Sequence, residues 1–299
     1  MIGQVVEIAT DGRHVALHRG FLVVSEHGEE VGRVPIDQVA ALISNAHGLT
    51  FSNNVLVECA RQGVPVVLCG PSHKPEAIVW PVDGHHQQSG RMADQIAAAL
   101  PLKKRLWAQV VRAKILAQGA TLAAVGARHG GFHLLSRKVR SGDPDNVEAE
   151  AARRYWPLLL GAEFRRDRDL PGINGLLNYG YAVLRAGVAR AVMAGGLHPG
   201  LGLMHANRGN PMVLVDDLME PFRPTVDLEV RRLVDAGVET VDRAAKAALA
   251  RVMIFDLPTA QGLSPVMTCA ERLVTSLARA YAGEGDDLAL PLPRLPLEG

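Results

Sequence analysis

Between Leu203 and Pro224 the chain reads Leu-Met-His-Ala-Asn-Arg-Gly-Asn-Pro-Met-Val-Leu-Val-Asp-Asp-Leu-Met-Glu-Pro-Phe-Arg-Pro. A single histidine, His205, precedes a short apolar segment that ends in Asp216, Asp217 and Glu220. Pro211 suits the first turn of a helix, where a missing N–H costs nothing. Pro221 cannot continue that helix, so the spacing predicts its end at Glu220. On such a helix Asp216 and Glu220 stand four apart, and Asp217 and Glu220 three apart, so a carboxylate pair shares one face. Like charges repel there unless a cation, a proton or an arginine lies between them.

A third acid stands upstream. Asp145 is placed to cap a helix carrying Glu148, Ala151, Ala152, Tyr155 and Leu159 along one stripe. Glu148, three after Asp145, reads first as a capping-box glutamate. A carboxylate at the edge of an apolar face is also where a metal ligand would stand, because partial desolvation strengthens its grip on a cation. One imidazole and two carboxylates from three elements make a mixed nitrogen–oxygen set that suits Mn²⁺ or Mg²⁺ rather than structural zinc. No serine or cysteine sits in a nucleophile elbow, and no Walker-type loop or dinucleotide fingerprint is present. A hard cation beside basic residues points to phosphodiester chemistry. A lone histidine beside acids is more often structural, so spacing alone leaves the set open.

The basic residues are unevenly placed. Net charge is +1 over 299 residues, yet residues 103–168 carry 14 Lys/Arg against 6 Asp/Glu, while residues 1–102 carry 6 against 10. That block includes Lys103, Lys104, Arg105, Arg112, Lys114, Arg137, Lys138, Arg140, Arg153, Arg154, Arg165, Arg166 and Arg168. Such a footprint suits a phosphate backbone; solvated helix faces are the competing reading. Lys103, Lys104, Arg105, Arg137, Lys138, Arg140, Arg165 and Arg166 are the expected DNA contacts.

The elements that must position these residues fall into two sets. Residues 2–82 read as short β-branched strands around Asp11-Gly12 and Arg19-Gly20 turns, with one helix capped near Ser52. Pro81–Ser89 is a candidate linker, and its adjacent His85 and His86 read as surface-loop residues. Beyond it the pattern turns helical. Asn174–Gly195 is the most regular helix, with Gly180 and Gly187 predicted to allow close packing. Pro224 opens another helix, with Val226, Val230, Leu233 and Val234 inward and Asp227/Arg231 as an i,i+4 pair. The expected class is α+β: a small β-rich domain over 1–84, a larger all-α catalytic domain over 85–283, and a Pro-rich mobile tail over 284–299.

At 48% hydrophobic the chain can bury a large core. No apolar run reaches the roughly 18 residues a bilayer span needs, and no leader pattern opens the chain. Cys59, Cys69 and Cys269 lack metal-ligand spacing, so they read as reduced core thiols of a cytoplasmic protein.

Four blocks, Asn146–Trp156, Ile173–Tyr181, Leu203–Asn207 and Asp217–Asp227, resemble in order and spacing the signatures of one family. It is the CRISPR-associated integrase of spacer acquisition, the first of the CRISPR-associated proteins, and the flavour is that of the type II branch. The resemblance implies an N-terminal β domain that pairs two copies and a C-terminal helical domain with a Mg²⁺ or Mn²⁺ site. Carried over by position, Glu148, His205 and Glu220 would be both metal ligands and catalytic residues. Glu220 stands where several branches have aspartate and type II members usually have glutamate. Asp217 would back the site, Arg223 would pair with a carboxylate, and Glu150 would point to another face. The implied reaction is transesterification, in which a 3′-hydroxyl of a foreign DNA fragment attacks a phosphodiester of the CRISPR repeat. Implied partners are double-stranded DNA (spacer precursor and repeat), a second copy, and the small dimeric second CRISPR-associated protein in a heterohexamer-like complex. The type II RNA-guided effector is a further implied partner; a membrane is not. A repair nuclease that does not integrate, and a non-catalytic DNA-binding scaffold, are the alternatives.

Overall fold

The computed structural model describes residues 4–71, 75–79, 81–82, 84–207 and 209–292. The N-terminal part holds two sheets. Strands β1 (Gln4–Ile8), β5 (Val39–Ser44), β7 (Val66–Cys69) and β8 (Pro75–Val79) form a mixed sheet in that order, with β1–β5 and β5–β7 parallel and β8 antiparallel. Strands β2 (His14–His18), β3 (Phe21–Glu26), β4 (Glu29–Pro35) and the short β6 (Thr50–Phe51) form the second, in the order β4-β3-β2-β6. Arg19–Gly20 and His27–Gly28 all have positive φ, the backbone that tight hairpin turns of matching twist require. Asp11–Gly12 is not a hairpin turn as expected. The strands on either side of it belong to different sheets, so it is a crossing between layers.

The mixed sheet uses both faces, which its two-residue period makes possible. Val39, Leu42 and Val66 pack with Val15, Leu22 and, from α1 (Asn53–Arg61), Val55 and Cys59. Ala41, Ile43 and Val67 join the helical core on the other face. Polar contacts cross the same junction: Glu7 accepts from Tyr179 Oη at 3.0 Å and meets Lys246 Nζ at 3.0 Å.

The helical part comprises α2 (Gln88–Ala97), α3 (Leu100–Ala124), α4 (Gly130–Lys138), α5 (Val147–Leu160), α6 (Ile173–Ala194), α7 (Val213–Leu218), α8 (Arg223–Asp235), α9 (Arg243–Ala250) and α10 (Val266–Tyr281). A hairpin of β9 (Asp256–Thr259) and β10 (Gly262–Pro265) interrupts it before α10. Helix α6 is the spine. A Cβ on Gly180 would lie 2.4 Å from Val226 Cγ1, and one on Gly187 2.2 Å from Met253 Cε. Glycine at these positions lets neighbouring elements approach the α6 backbone, which offsets its propensity cost of about 1 kcal/mol each. The loop before α2 carries His85 and His86 with stacked rings, 4.4 Å between centroids.

The expected mobile tail is seated on this body through Leu292. Gln109 takes the Leu288 N–H at 2.9 Å and donates to the Asp286 carbonyl at 2.6 Å. Ser276 Oγ accepts the Ala289 N–H, the Pro258 carbonyl accepts that of Leu292, and Leu288 is buried. Side chains and a hairpin carbonyl thus supply partners to the backbone of this segment, beside the one bond it makes within itself from the Leu290 N–H to the Leu288 carbonyl among the described residues. Residues 293–299 lie outside the described residues.

Candidate active site

Glu148 stands in the first turn of α5. Asp143 starts that helix, its two carboxylate oxygens accepting the N–H groups of Val147 and Glu148 at 3.0 Å each. The capping-box reading therefore fails: Asp145 forms a bidentate pair with Arg140 at 2.8 and 2.9 Å. The Glu148 side chain turns instead to the ammonium of Lys114.

Lys114 departs most from expectation. Expected among the surface cations, it is buried on α3 between Val110 and Gln118, both nearly inaccessible. Spacing of four along one face carries all three inward. The signal is present in the sequence, because Lys114 continues the apolar row of Leu106 and Val110. Its ammonium pairs with Glu148 and sits 2.5 Å from Glu220 Oε2. Burial alone would lower its pKa; Glu220 and Glu148 more than compensate and hold it above the ordinary lysine value.

Glu220 opens a 3₁₀ turn, Glu220–Phe222, because Pro221 denies the end of α7 an α-helical continuation. Its Oε1 accepts from Arg223 Nε at 2.7 Å. Its Oε2 is buried and accepts no well-directed hydrogen bond, with the Lys114 ammonium beside it. Burial works against the charge, but Arg223 and Lys114 outweigh it and hold the carboxyl at about 2. Arg223 is itself placed by an aromatic ring. Its guanidinium lies 4.6 Å from the Tyr181 centroid, and that of Arg166 lies 5.5 Å from the same ring. Tyr181 and Tyr155 both donate their hydroxyls to Asp227, at 2.5 and 3.0 Å.

Asp227 is thus no partner of Arg231, which pairs with Asp235 at 2.8 Å. Burial raises the Asp227 carboxyl to about 7, even with two hydroxyl donors stabilising its charge. In turn, burial and then Asp227 push both tyrosines well above their usual range.

His205 lies in the loop before α7. Its Nδ1 is 2.5 Å from Asp217 Oδ1, while Asp217 Oδ2 accepts the N–H groups of Leu203 and Met204 at 2.8 and 3.0 Å. Asp217 is wholly buried, and the edge of Trp107 meets the imidazole at 5.0 Å between centroids. The hydrogen bond to Asp217 raises the His205 pKa, against an opposing contribution from burial; Glu220 and Glu148 also raise it. With Nδ1 committed to a carboxylate, Nε2 is the nitrogen left to a ligand.

The structure therefore gathers the three expected residues in pairs rather than at one point. Glu148 and Glu220 share Lys114, while His205 and Glu220 line one cleft of about 720 Å³ between the mixed sheet and the helices. Glu148 and Glu220 also line an adjoining cavity of about 230 Å³ with Arg166, Arg168, Arg223 and Trp156. Asp216 lines the same cleft as Glu220 but has its own partners. It is held by Arg185 at 2.6 and 3.0 Å and by Asn210 at 2.6 Å. Glu150 pairs with Arg154 on the outer side of α5. Among the described residues no three His, Cys, Asp or Glu side chains converge closely enough to hold an ion as they stand. In kind they fit a hard divalent cation. Two carboxylates already compete for one cation, one of their oxygens lacks a directed partner, and the imidazole is fixed through its far nitrogen.

The expected DNA contacts are dispersed. Lys103 and Lys104 are half-buried in the first turn of α3, and Arg105 beside them pairs with Asp286 at 3.0 Å. Arg137 and Lys138 are exposed at the end of α4, Arg140 is tied to Asp145, and Arg165 lies exposed beyond α5. Arg166 is half-buried, its guanidinium held by Asn174 and Asn178 at 2.9 and 2.7 Å. It belongs to the cavity wall rather than the outer surface.

Comparison with known proteins settles the family. The model of the family described as CRISPR associated protein Cas1 matches residues 6–249. The chain belongs to the Cas1 family. It is 36% identical over 229 residues to the CRISPR-associated endonuclease Cas1 of Neisseria meningitidis serogroup C, covering 76% of this chain and 75% of that one. It is 31% identical over 254 residues to a CRISPR-associated endonuclease Cas1 of Thermus thermophilus, covering 80% and 78%. In fold it is similar to a casposase bound to integration product, with a TM-score of 0.79, 18% identity and coverage of 95% and 92%. A Cas1 protein from Thermotoga maritima gives 0.76 at 14% identity, covering 94% and 98%. Among the described residues no helix is long and apolar enough to cross a membrane.

Proposed function

We propose that this chain is a metal-dependent DNA endonuclease and integrase of CRISPR adaptation, joining foreign DNA fragments to the repeat array by attack of a 3′-hydroxyl. The observation that carries the reading is the shared cation. Two carboxylates from separate elements hold one buried ammonium, and an imidazole locked through its Nδ1 lies in electrostatic reach of both. Family membership and curated relatives named as endonucleases support it.

Glu148, Glu220 and His205 Nε2 would hold Mg²⁺ or Mn²⁺. Such an ion, when bound, supplies Lewis acidity to a phosphoryl oxygen and a reacting hydroxyl. The rest is the work of the chain. Asp217 fixes the imidazole's tautomer and direction. Arg223, braced on Tyr181, keeps Glu220 ionised. Arg166 and Arg168, lining both the cleft and the adjoining cavity, present positive charge where a phosphate backbone would pass. Double-stranded DNA, a second copy of the chain and a small Cas2 partner are the proposed company. A longer chain of which 37% is similar in fold to this one, with a TM-score of 0.75 at 16% identity, occurs in a structure named as a Cas6-RT-Cas1–Cas2 complex.

The test is the metal dependence of single-site variants. Glu148→Ala and His205→Ala are each expected to abolish Mn²⁺-dependent cleavage and strand transfer; either activity persisting in both variants refutes the assignment.

A further inference from the structure

Glu148 and Glu220 contribute two negative charges to the site; Lys114, paired to both, and Arg223, paired to Glu220, contribute two positive ones. Among themselves these four charges cancel, and the group is largely shielded from water: at the side chain Lys114 is 11% exposed, Glu220 15%, Arg223 18% and Glu148 29%. A divalent ion added to it, with nothing withdrawn, would leave two uncompensated positive charges in a poorly solvated place. Either Lys114 must give up the carboxylates or an anion must arrive with the metal.

The cavity beside the cluster allows both. Lys114, Glu148 and Glu220 face the 230 Å³ space together with Arg166, Arg168 and Arg223. Arg166 is held there by the amide oxygens of Asn174 and Asn178 and by the Asp167 carbonyl. Its charge is therefore not cancelled by these partners. A phosphate in this space meets cations on several sides, and lysine's flexible four-carbon stem can carry the ammonium from the carboxylates towards it.

We propose that Lys114 is a charge gate, a resident cation held by Glu148 and Glu220 until a divalent ion and a DNA phosphate enter together, so that metal binding depends on DNA. The inference rests on the reading of Glu148 and Glu220 as metal-holding residues. In the gated state the ammonium pairs with the carboxylates; in the loaded state it pairs with the phosphate, whose negative charge offsets one of the two positive charges the ion adds. Lys114 is on this account a positioning residue, and its signature is a coupling between two binding events rather than a fall in rate.

The experiment is a calorimetric titration of Mn²⁺ into the full chain, with and without a duplex ending in a 3′-dideoxynucleotide that cannot be joined. The wild type is expected to bind Mn²⁺ about tenfold tighter when DNA is present. Lys114→Met and Lys114→Gln are expected to bind Mn²⁺ about tenfold tighter than the wild type without DNA, and to lose most of the coupling. Lys114→Arg, which keeps the charge, is expected to retain weak binding in the absence of DNA. The glutamine variant keeps hydrogen-bond donors beside both carboxylates, so it remains a test if the methionine variant does not fold. Wild-type or weaker Mn²⁺ affinity in the neutral variants, or unchanged coupling, overturns the gate. The double variant Glu148→Gln/Glu220→Gln supplies the background. Mn²⁺ binding that survives in it overturns the metal-site reading itself; binding abolished there while the Lys114 variants behave as wild type overturns the gate alone.

Discussion

Replacing Asp227 by asparagine isolates one buried carboxyl. In the folded chain it titrates at about 7, against an ordinary value of 3.8, because burial outweighs its two tyrosine donors. A carboxyl raised in this way binds its proton more tightly in the native state, so folding takes up protons between the two values. Its contribution to stability is therefore greatest below about 3.8 and is lost as pH rises through about 7. Between pH 8 and pH 5 the wild type should gain about 2.5 kcal/mol that the titration-silent asparagine variant cannot gain. Superimposed on this is a pH-independent cost of about 1–3 kcal/mol for disturbing the tyrosine hydrogen bonds. The assay is urea unfolding of both proteins at pH 5, 6, 7 and 8, read as the difference in stability at each pH. A difference that widens steadily towards pH 5 supports the reasoning. A flat difference means that Asp227 does not exchange its proton near pH 7, and the account of the Tyr155–Asp227–Tyr181 cluster then fails.

Other perturbations test the site around it. Asp217→Asn should weaken Mn²⁺ affinity by about 10- to 100-fold. The amide oxygen must take the Leu203 and Met204 N–H groups, which leaves an NH₂ facing His205 Nδ1 and forces the wrong tautomer; unchanged metal affinity would show that His205 needs no such support. Neutralising Arg137, Lys138 and Arg140 together should weaken DNA binding and reduce the salt slope by about 0.9 for each phosphate no longer neutralised. An unchanged slope, measured by fluorescence anisotropy over a salt series, would place the DNA surface elsewhere.

Much of the architecture is legible in the residues themselves. The apolar runs of β5 and β7, the spacing of Leu177, Val183, Leu184 and Val188 on α6, and the two inward glycines declare the layers without a structure. Pro221 correctly marks a break, though the helix expected to end at Glu220 ends at Leu218 and a 3₁₀ turn begins at Glu220. Partnership across elements is what the sequence hides. Asp143 and Asp145 are equally good caps by type, and only the backbone turn at Asp143 and Asn146, both of positive φ, decides between them. Lys114 and Asp227 read as surface charges because their types outweigh their inward spacing. Each is buried because residues far along the chain, Glu148 and Glu220 for one, Tyr155 and Tyr181 for the other, neutralise or solvate it. The seating of the tail is hidden for the same reason: Gln109, Ser276 and Pro258, which hold it, lie in distant elements.

The claim beneath all of this is that Glu148, His205 and Glu220 act through a divalent ion on a 3′-hydroxyl. The most direct measurement incubates the full chain with Mn²⁺ and a labelled DNA fragment, then separates products joined to a repeat-bearing duplex. The account predicts joined product with a free 3′-hydroxyl, none with a 3′-dideoxy end, and none in Glu220→Ala or after chelation. Joined product that persists in Glu220→Ala or without metal would contradict it.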